Sequence, residues 1–206
     1  MTRQLAYLTR FFGFNAVLII GFFLARLIVD TVVRMVFPFI TPFAYGLGLT
    51  VTSFGVLLSL RSWVGILDPI IGVVADRYGK KRMMLFGLLL QGIGLLGMVF
   101  VQGWVAAGPM ILIGLGASSF VPITQAYISD QVEYEKRGRA LVFVDMAFAI
   151  SGIAALPLVG WLIETADWRF PFGVLGVLSL CALVFIWWVI PKDEHHEVHE
   201  VNIDWR

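Results

Sequence analysis

The chain has 206 residues, of which 59% are hydrophobic and 14% charged, with a formal net charge of +1 and a mean hydropathy of +0.89. These proportions lie far outside what a soluble globular surface can carry, so lipid must solvate most of the exterior. No strand-turn-helix phosphate loop, nucleophile elbow, paired catalytic carboxylates or soluble basic domain is visible, which argues against an ATP-driven pump, a hydrolase or a nucleic-acid binder.

A helix needs about 20 apolar residues to cross a hydrocarbon core of about 30 Å. Six such stretches can be drawn, at 16–38, 50–73, 83–102, 105–128, 139–163 and 169–190. The connections leave no room for a soluble domain. The expected fold is an all-α transmembrane six-helix bundle over residues 1–190, with a polar tail at 191–206 that reads as a cytoplasmic tail or the start of a central linker. The first stretch is not a cleavable signal, because it is longer than a signal core, contains Arg26 and Asp30, and lacks a small-residue cleavage pattern.

Basic residues stay on the cytoplasmic side of short loops. With the N-terminus inside, that side collects Arg3, Arg10, Arg77, Lys80, Lys81, Arg82, Lys136, Arg137, Arg139, Lys192 and Arg206, against Arg169 alone opposite. Both termini are therefore expected in the cytoplasm. Trp104, Trp161, Trp168, Trp187 and Trp188 fall at span ends and read as interfacial anchors.

A charge inside lipid costs roughly 2.5 to 3.5 kcal/mol on insertion scales, so a span keeps one where a cavity or a partner offsets it. The first span carries Arg26, Asp30 and Arg34 at i, i+4 and i+8, on one helical face. They form either a self-neutralising structural ladder or a substrate or proton site. An aspartate between two arginines has its charged form favoured, which works against protonation. The second span carries Arg61 near its centre.

After Asp68-Pro69 comes Gly72-Val-Val-Ala-Asp76-Arg77-Tyr-Gly79-Lys80-Lys81-Arg82, a basic hairpin between two apolar runs. It resembles the loop between the second and third helices of Major Facilitator Superfamily transporters, G-x-x-x-D-R-x-G-R/K-R/K, within their efflux and sugar-permease branch. Gly72, Asp76, Arg77, Gly79, Lys80 and Lys81 stand where that motif places them. The resemblance implies a secondary transporter whose first, second, fourth and fifth helices line a cavity. It also implies that Asp68, Gly72, Asp76, Arg77, Gly79 and Lys80 act as a conformational latch against the other half of the protein. From the residues themselves, Gly72 permits close helix approach, Gly79 makes the turn, Asp76 can accept hydrogen bonds at a helix N-terminus and Arg77 can pair with an acid. The same basic residues also anchor topology.

The third and sixth spans hold no ionisable residue between Met83 and Val101 or between Phe170 and Ile190, and read as lipid-exposed. The fourth carries Thr124 and Gln125. Asp130 to Arg139 follows, with Glu135-Lys136-Arg137-Gly138-Arg139 resembling the family's E-x-R-G-R/K loop. The fifth carries Asp145, which has no basic neighbour on its own helix and is thus the better proton-carrier candidate. Ser151-Gly152 to Pro157 and Gly160 matches only loosely the glycine-proline motif of proton-coupled exporters, since Leu156 stands where a glycine is usual. Pro69-x-x-Gly72-x-x-x-Asp76 recurs as Pro157-x-x-Gly160-x-x-x-Glu164. Three crossings separate the copies, as in the inverted three-helix repeats within each half of such transporters.

Arg26, Arg34 and Arg61 outnumber Asp30 and Asp145 in the spans, which admits an anionic small-molecule substrate. The substrate and proton pathway is thus assigned to Arg26, Asp30, Arg34, Arg61, Gln125 and Asp145. The resemblance covers essentially the whole chain but half of a twelve-helix protein. The expected partners are therefore the lipid bilayer, a solute, and either a C-terminal half or a second copy in a parallel homodimer. The setting expected from the resemblance is a bacterial inner membrane. A non-transporting receptor or assembly partner on the same scaffold is the alternative. No enzyme activity and no cofactor are expected. His195, His196 and His199 lie in the polar tail without a cysteine or structured context, and Cys181 stands alone in an apolar helix, so neither a metal site nor a disulfide is expected.

Overall fold

The computed structural model describes residues 16–190. Among them there is no strand, and six helical segments are long and apolar enough to cross a membrane: Ala16–Met35, Val51–Tyr78, Lys80–Phe100, Gly103–Gln131, Tyr134–Thr165 and Phe170–Val189. The chain adopts the all-α, six-span fold read from its hydropathy. The histidine-bearing tail lies outside the described residues.

The first span, α1 (Ala16–Met35), stops short of the expected residue 38. Pro38 disfavours helical geometry at the residue before it and donates no N–H. A short α2 (Ile40–Gly46) follows. The second span joins α3 (Val51–Trp63), one 3-10 turn (Val64–Leu67) and α4 (Asp68–Tyr78). Thr50 caps α3, its hydroxyl accepting the Ser53 N–H at 3.1 Å, which satisfies one free donor of the first turn. The third span, α5 (Lys80–Phe100), begins after a single residue, Gly79, at φ 99°. Side-chain-bearing residues rarely adopt that conformation. Lys80, Lys81 and Arg82 thus form the first turn of a helix rather than a loop.

The fourth span is a 3-10 turn (Gly103–Ala106) leading into α6 (Ala107–Gln131). The fifth is α7 (Tyr134–Ile150), a π turn (Ser151–Ala155) and α8 (Leu156–Thr165). The sixth is α9 (Phe170–Val189). The fourth and fifth run further than expected, through Asp130 and Lys136, because a helix can continue into the interface once its charges reach water.

The charge-free third span finds its partners through small residues. A methyl group placed on Gly116 would lie 2.6 Å from the Gly87 carbonyl oxygen, so α5 and α6 touch backbone to backbone. On its other side α5 meets α9, where the Ser179 hydroxyl donates to the Leu88 carbonyl at 3.2 Å. Exposure is greatest elsewhere. Of the most apolar stretch of each span, 61% of the first is buried, but only 28% of the second and 22% of the fifth. The first span is the central post, and within this unit the third and sixth spans bury 44% and 33%.

Two apolar cores stack along the bundle. One gathers Phe22, Met84, Leu88, Phe120 and Ile128 toward the end bearing Lys80. The other gathers Phe43, Phe54, Leu95, Met98 and Phe172 toward the opposite end. Between them every span contributes at least one buried polar residue, among them Asp30, Arg61, Gln91, Ser119, Ser151 and Ser179. This polar layer lies midway through the apolar spans.

Candidate functional site

Arg26 and Asp30 sit one turn apart on α1, buried at 8% and 6% exposure. The Arg26 Nε donates to Asp30 Oδ2 at 2.9 Å. Its Nη1 points at Asp145 Oδ1 on α7, 3.6 Å away, too long for a hydrogen bond yet close enough for an ion pair. From α6, Gln125 Nε2 donates to both Asp145 oxygens, at 3.1 and 3.3 Å. Three spans therefore place one guanidinium between two carboxylates, with an amide holding the second. The arrangement is lopsided. Asp30 is enclosed, whereas the Asp145 side chain keeps 45% exposure and forms the open mouth of the cluster.

Arg26 Nη1 is buried and makes no hydrogen bond among the described residues. A buried donor left unmade costs about 1–3 kcal/mol. The Asp145 carboxylate faces it at 3.6 Å.

The first-span ladder closes in its first step, Arg26 with Asp30, and not in its second. Arg34 turns away from Asp30 and donates through Nη1 to the Phe148 carbonyl on α7 at 2.7 Å, with its guanidinium carbon 4.2 Å from the centre of the Phe148 ring. Ser151 donates to the same carbonyl at 2.7 Å. Arg61 reaches the Val33 carbonyl of α1 from the second span, at 3.3 Å, and is 9% exposed. No acid of the described residues lies within 4.0 Å of it. Arg61 borders an apolar groove of about 500 Å³ with Phe37, Leu58, Ser59, Trp63 and Ile66.

Of the six pathway candidates, Arg26, Asp30, Gln125 and Asp145 thus converge, Arg34 binds the fifth span's backbone further along α1, and Arg61 stands apart at its own groove. Asp145 has no basic neighbour on its own helix, but in space Arg26 stands beside it. Thr124 and Gln125 part company as well. Thr124 is buried and donates back to the Phe120 carbonyl at 2.8 Å, leaving Gln125 alone to reach the site. Gln91 is polar but not ionisable, and is not among the residues that charge alone marks in the spans. It is fully buried on α5 with both amide atoms unbonded among the described residues. The one signal for it was a polar side chain in an otherwise apolar span.

At the basic end, Lys80 bonds Asp130 at the end of α6 and lies 3.9 Å from Asp76. Lys81 donates to the Ile190 carbonyl after α9. The second–third hairpin is therefore fastened to the fourth and sixth spans. The remaining motif residues face outward. A methyl on Gly72 would meet nothing within 4 Å, so no close helix approach occurs there in this unit. Asp76 engages Lys80 rather than a neighbouring helix terminus, and Arg77 stacks 5.9 Å from the Tyr78 ring with no acid within 4.0 Å among the described residues. Asp68 opens α4, exposed. In the following loop, Lys136 donates to Glu133 at 2.7 Å. That bond, helped by the lysine's charge, holds the Glu133 carboxyl below its ordinary range.

The sequence profile of the Major Facilitator Superfamily matches residues 11–203. The multidrug resistance protein MdtH of Cronobacter sakazakii is 32% identical over 187 residues, covering 86% of this chain and 42% of that protein. That of Salmonella arizonae is 27% identical over 183 residues, with the same coverage. Among solved structures, the POT family transporter PepTSo superposes with a TM-score of 0.71 at 20% identity, over 85% of this chain and 39% of its own. A peptide transporter POT in complex with sulfate gives 0.68 at 22%, over 82% and 37%. At these identities the structural likeness establishes the fold alone. The chain spans about two-fifths of the length of the curated relatives it matches.

Proposed function

This chain belongs to the Major Facilitator Superfamily and is a multi-pass membrane protein, and we propose that it forms one six-span half of a secondary transporter that moves a small organic solute by alternating access. The observation that carries this reading is the Arg26 guanidinium shared between Asp30 at 2.9 Å and Asp145 at 3.6 Å. Charges at that depth persist where a pathway needs them.

The proposed mechanism couples solute to proton. Asp145, at the open mouth, takes up a proton and loses its attraction for Arg26, which then serves Asp30 alone. Loss of the proton restores the shared state and draws α7 toward α1, completing the unmade Nη1 bond. The two states differ in the separation of the first and fifth spans, which is the motion alternating access requires. Arg61, a buried cation without an acid beside it, is assigned to an anionic group on the solute, whose apolar part lies against Phe37, Leu58 and Trp63. The named function of the MdtH relatives, multidrug resistance, supports a bulky, amphipathic solute moved outward.

The pathway is completed by a second six-span unit, either further chain or a second copy. The low burial of the second and fifth spans and the greater length of the relatives support this. The basic residues gathered at one end support a plasma membrane location, the bacterial inner membrane, with both termini in the cytoplasm. The hairpin from Asp68 to Lys80 is assigned to latching the second unit, which its outward-facing Asp76 and Arg77 would engage.

The test is flux in proteoliposomes of the complete transporter under an imposed pH gradient, with a panel of fluorescent organic anions and cations. Asp145→Asn and Arg61→Gln are each expected to reduce gradient-driven flux at least about tenfold, the scale of one lost charge contact of roughly 1.4 kcal/mol, with unchanged elution as an assembled particle. Wild-type-like flux in Asp145→Asn would sink the proton assignment. Preference for cations with Arg61→Gln unaffected would sink the anion assignment.

A further inference from the structure

At the end of the bundle opposite Lys80, the third and sixth spans line a groove of about 660 Å³. Its floor is apolar, running past Leu96, Val99 and Phe100 on α5 and Val174 and Val177 on α9, with the bare Gly173 giving it depth. Its rim carries two opposite charges, Asp167 and Arg169. A lipid-facing groove needs no charge to be filled by acyl chains, so a fixed pair of charges at its mouth calls for a separate explanation.

Both rim groups are held in place. The Trp168 indole packs where a methyl on Gly46 would lie 2.4 Å from it, and it meets Phe172 edge-on at 6.2 Å. Arg169 stacks on this anchored ring, its guanidinium carbon 5.0 Å from the ring centre. The Trp168 backbone N–H donates to Asp167 Oδ1 at 2.7 Å, which fixes the carboxylate. Arg169 and Asp167 do not form an ion pair with each other. The Arg169 Nε is buried and lacks a hydrogen-bond partner among the described residues. A fixed cation and a fixed anion, unpaired with each other beside an apolar trough, are complementary to a ligand that carries cation, phosphate and alkyl chain in that order.

We propose that this groove is a binding site for a phospholipid with a primary-amine headgroup. Arg169 takes the phosphate, as a guanidinium suits planar, charge-assisted bonding to phosphate oxygens. Asp167 accepts an N–H from the ammonium. The acyl chain lies over Gly173 between the third and sixth spans. A choline headgroup has the same charge but no N–H to donate, so the two lipids separate on the Asp167 contact alone. A glycerol headgroup offers Asp167 neutral hydroxyls and no cation, so it can donate a hydrogen bond but lacks the ammonium's charge.

The experiment is native mass spectrometry of the purified protein released from detergent containing equal amounts of phosphatidylethanolamine, phosphatidylcholine and phosphatidylglycerol. The wild-type chain is expected to retain the ethanolamine lipid at least about threefold over the other two, within the range of a single charge-assisted hydrogen bond. Asp167→Asn should bring the ethanolamine-to-choline ratio close to one. Arg169→Gln and Gly173→Leu, the latter filling the trough, should each lower total phospholipid retention. Equal retention of the ethanolamine and choline lipids by the wild-type chain, or preference for the glycerol lipid, overturns the headgroup assignment without reference to any variant. Unchanged retention in both Arg169→Gln and Gly173→Leu overturns the site.

Discussion

The second and fifth spans carry the same pattern, Pro69-x-x-Gly72-x-x-x-Asp76 and Pro157-x-x-Gly160-x-x-x-Glu164, and break before the proline in opposite ways. The second tightens into a 3-10 turn, Val64–Leu67, while the fifth widens into a π turn, Ser151–Ala155. A proline removes one N–H and crowds the carbonyl four residues back, but this demand is the same in both. What differs is the neighbour. In the fifth span the Phe148 carbonyl accepts from Arg34 of α1 and from Ser151, and Gly152 leaves room for the guanidinium, which lies 3.0 Å from where a methyl would sit. External donors let the helix open. In the second span Asp68 faces outward and no side chain from another span bonds the turn among the described residues, so the backbone keeps its bonds by tightening. Wide turns of this kind concentrate at functional positions, and this one begins six residues after Asp145, where Arg34 of α1 meets the fifth span.

The largest effect follows from removing the residue that ties the fifth span to the first. Arg26→Met leaves Asp30 buried without its cation, and breaking such a pair costs about 3–5 kcal/mol. The expected result is a large fall in unfolding midpoint in a detergent-denaturant titration. Arg26→Met together with Asp30→Leu should recover much of that loss, since apolar replacement of a buried pair is often neutral. A single variant as stable as the wild type would mean that Asp30 is not held by Arg26.

Two arginines that bond carbonyls sharpen the contrast between the spans. Arg34→Met strips the π turn of its outside donor and is expected to cost about 1–2 kcal/mol, the range of a charged hydrogen bond lost from a carbonyl that keeps one other partner. Arg61→Met removes a long 3.3 Å bond and a buried cation with no acid beside it. Its stability is expected to stay within about 0.5 kcal/mol of wild type or to rise, while transport falls. Equal losses for the two variants would show that the turn types owe nothing to their neighbours.

The six crossings and the central importance of α1 were legible because lipid enforces long apolar runs and makes each charge within them conspicuous. Pairing between helices was not legible in the same way. Arg26 and Asp30 could be placed on one face from spacing alone, but Asp145 joins them through its contact with Arg26, across 119 positions of chain that spacing does not encode. Prolines 69 and 157 announced breaks without saying which kind, since the answer lies in Arg34, on another helix. Gln91, Ser119 and Ser179 went unmarked because they are uncharged, although they complete a polar layer to which each span contributes. Gly72 was expected at a close approach and faces open space, which is consistent with a motif that acts on a surface outside these residues.

The loops at the basic end extend the comparison and give the smallest effect. The hairpin after the second span is fastened across the bundle, Lys80 to Asp130 and Lys81 to Ile190, whereas the loop before the fifth relies on the local contact of Lys136 with Glu133. The hydrogen bond and charge of Lys136 depress the Glu133 carboxyl. A depressed carboxyl favours the folded state above its unfolded value of about 4.3 and loses that contribution as pH falls through the lower folded value. Because the pair is exposed, its influence is confined to the loop. Lys136→Met is expected to return Glu133 to the ordinary carboxylate range, read by carboxyl carbon chemical shift against pH, and 1 M salt should move the wild-type titration in the same direction through screening. The unfolding midpoint should stay unchanged at neutral pH. A titration that Lys136→Met and salt both leave in place would assign the depression to some other group, and a fall in stability would show that this loop, like the hairpin, is fastened to the bundle.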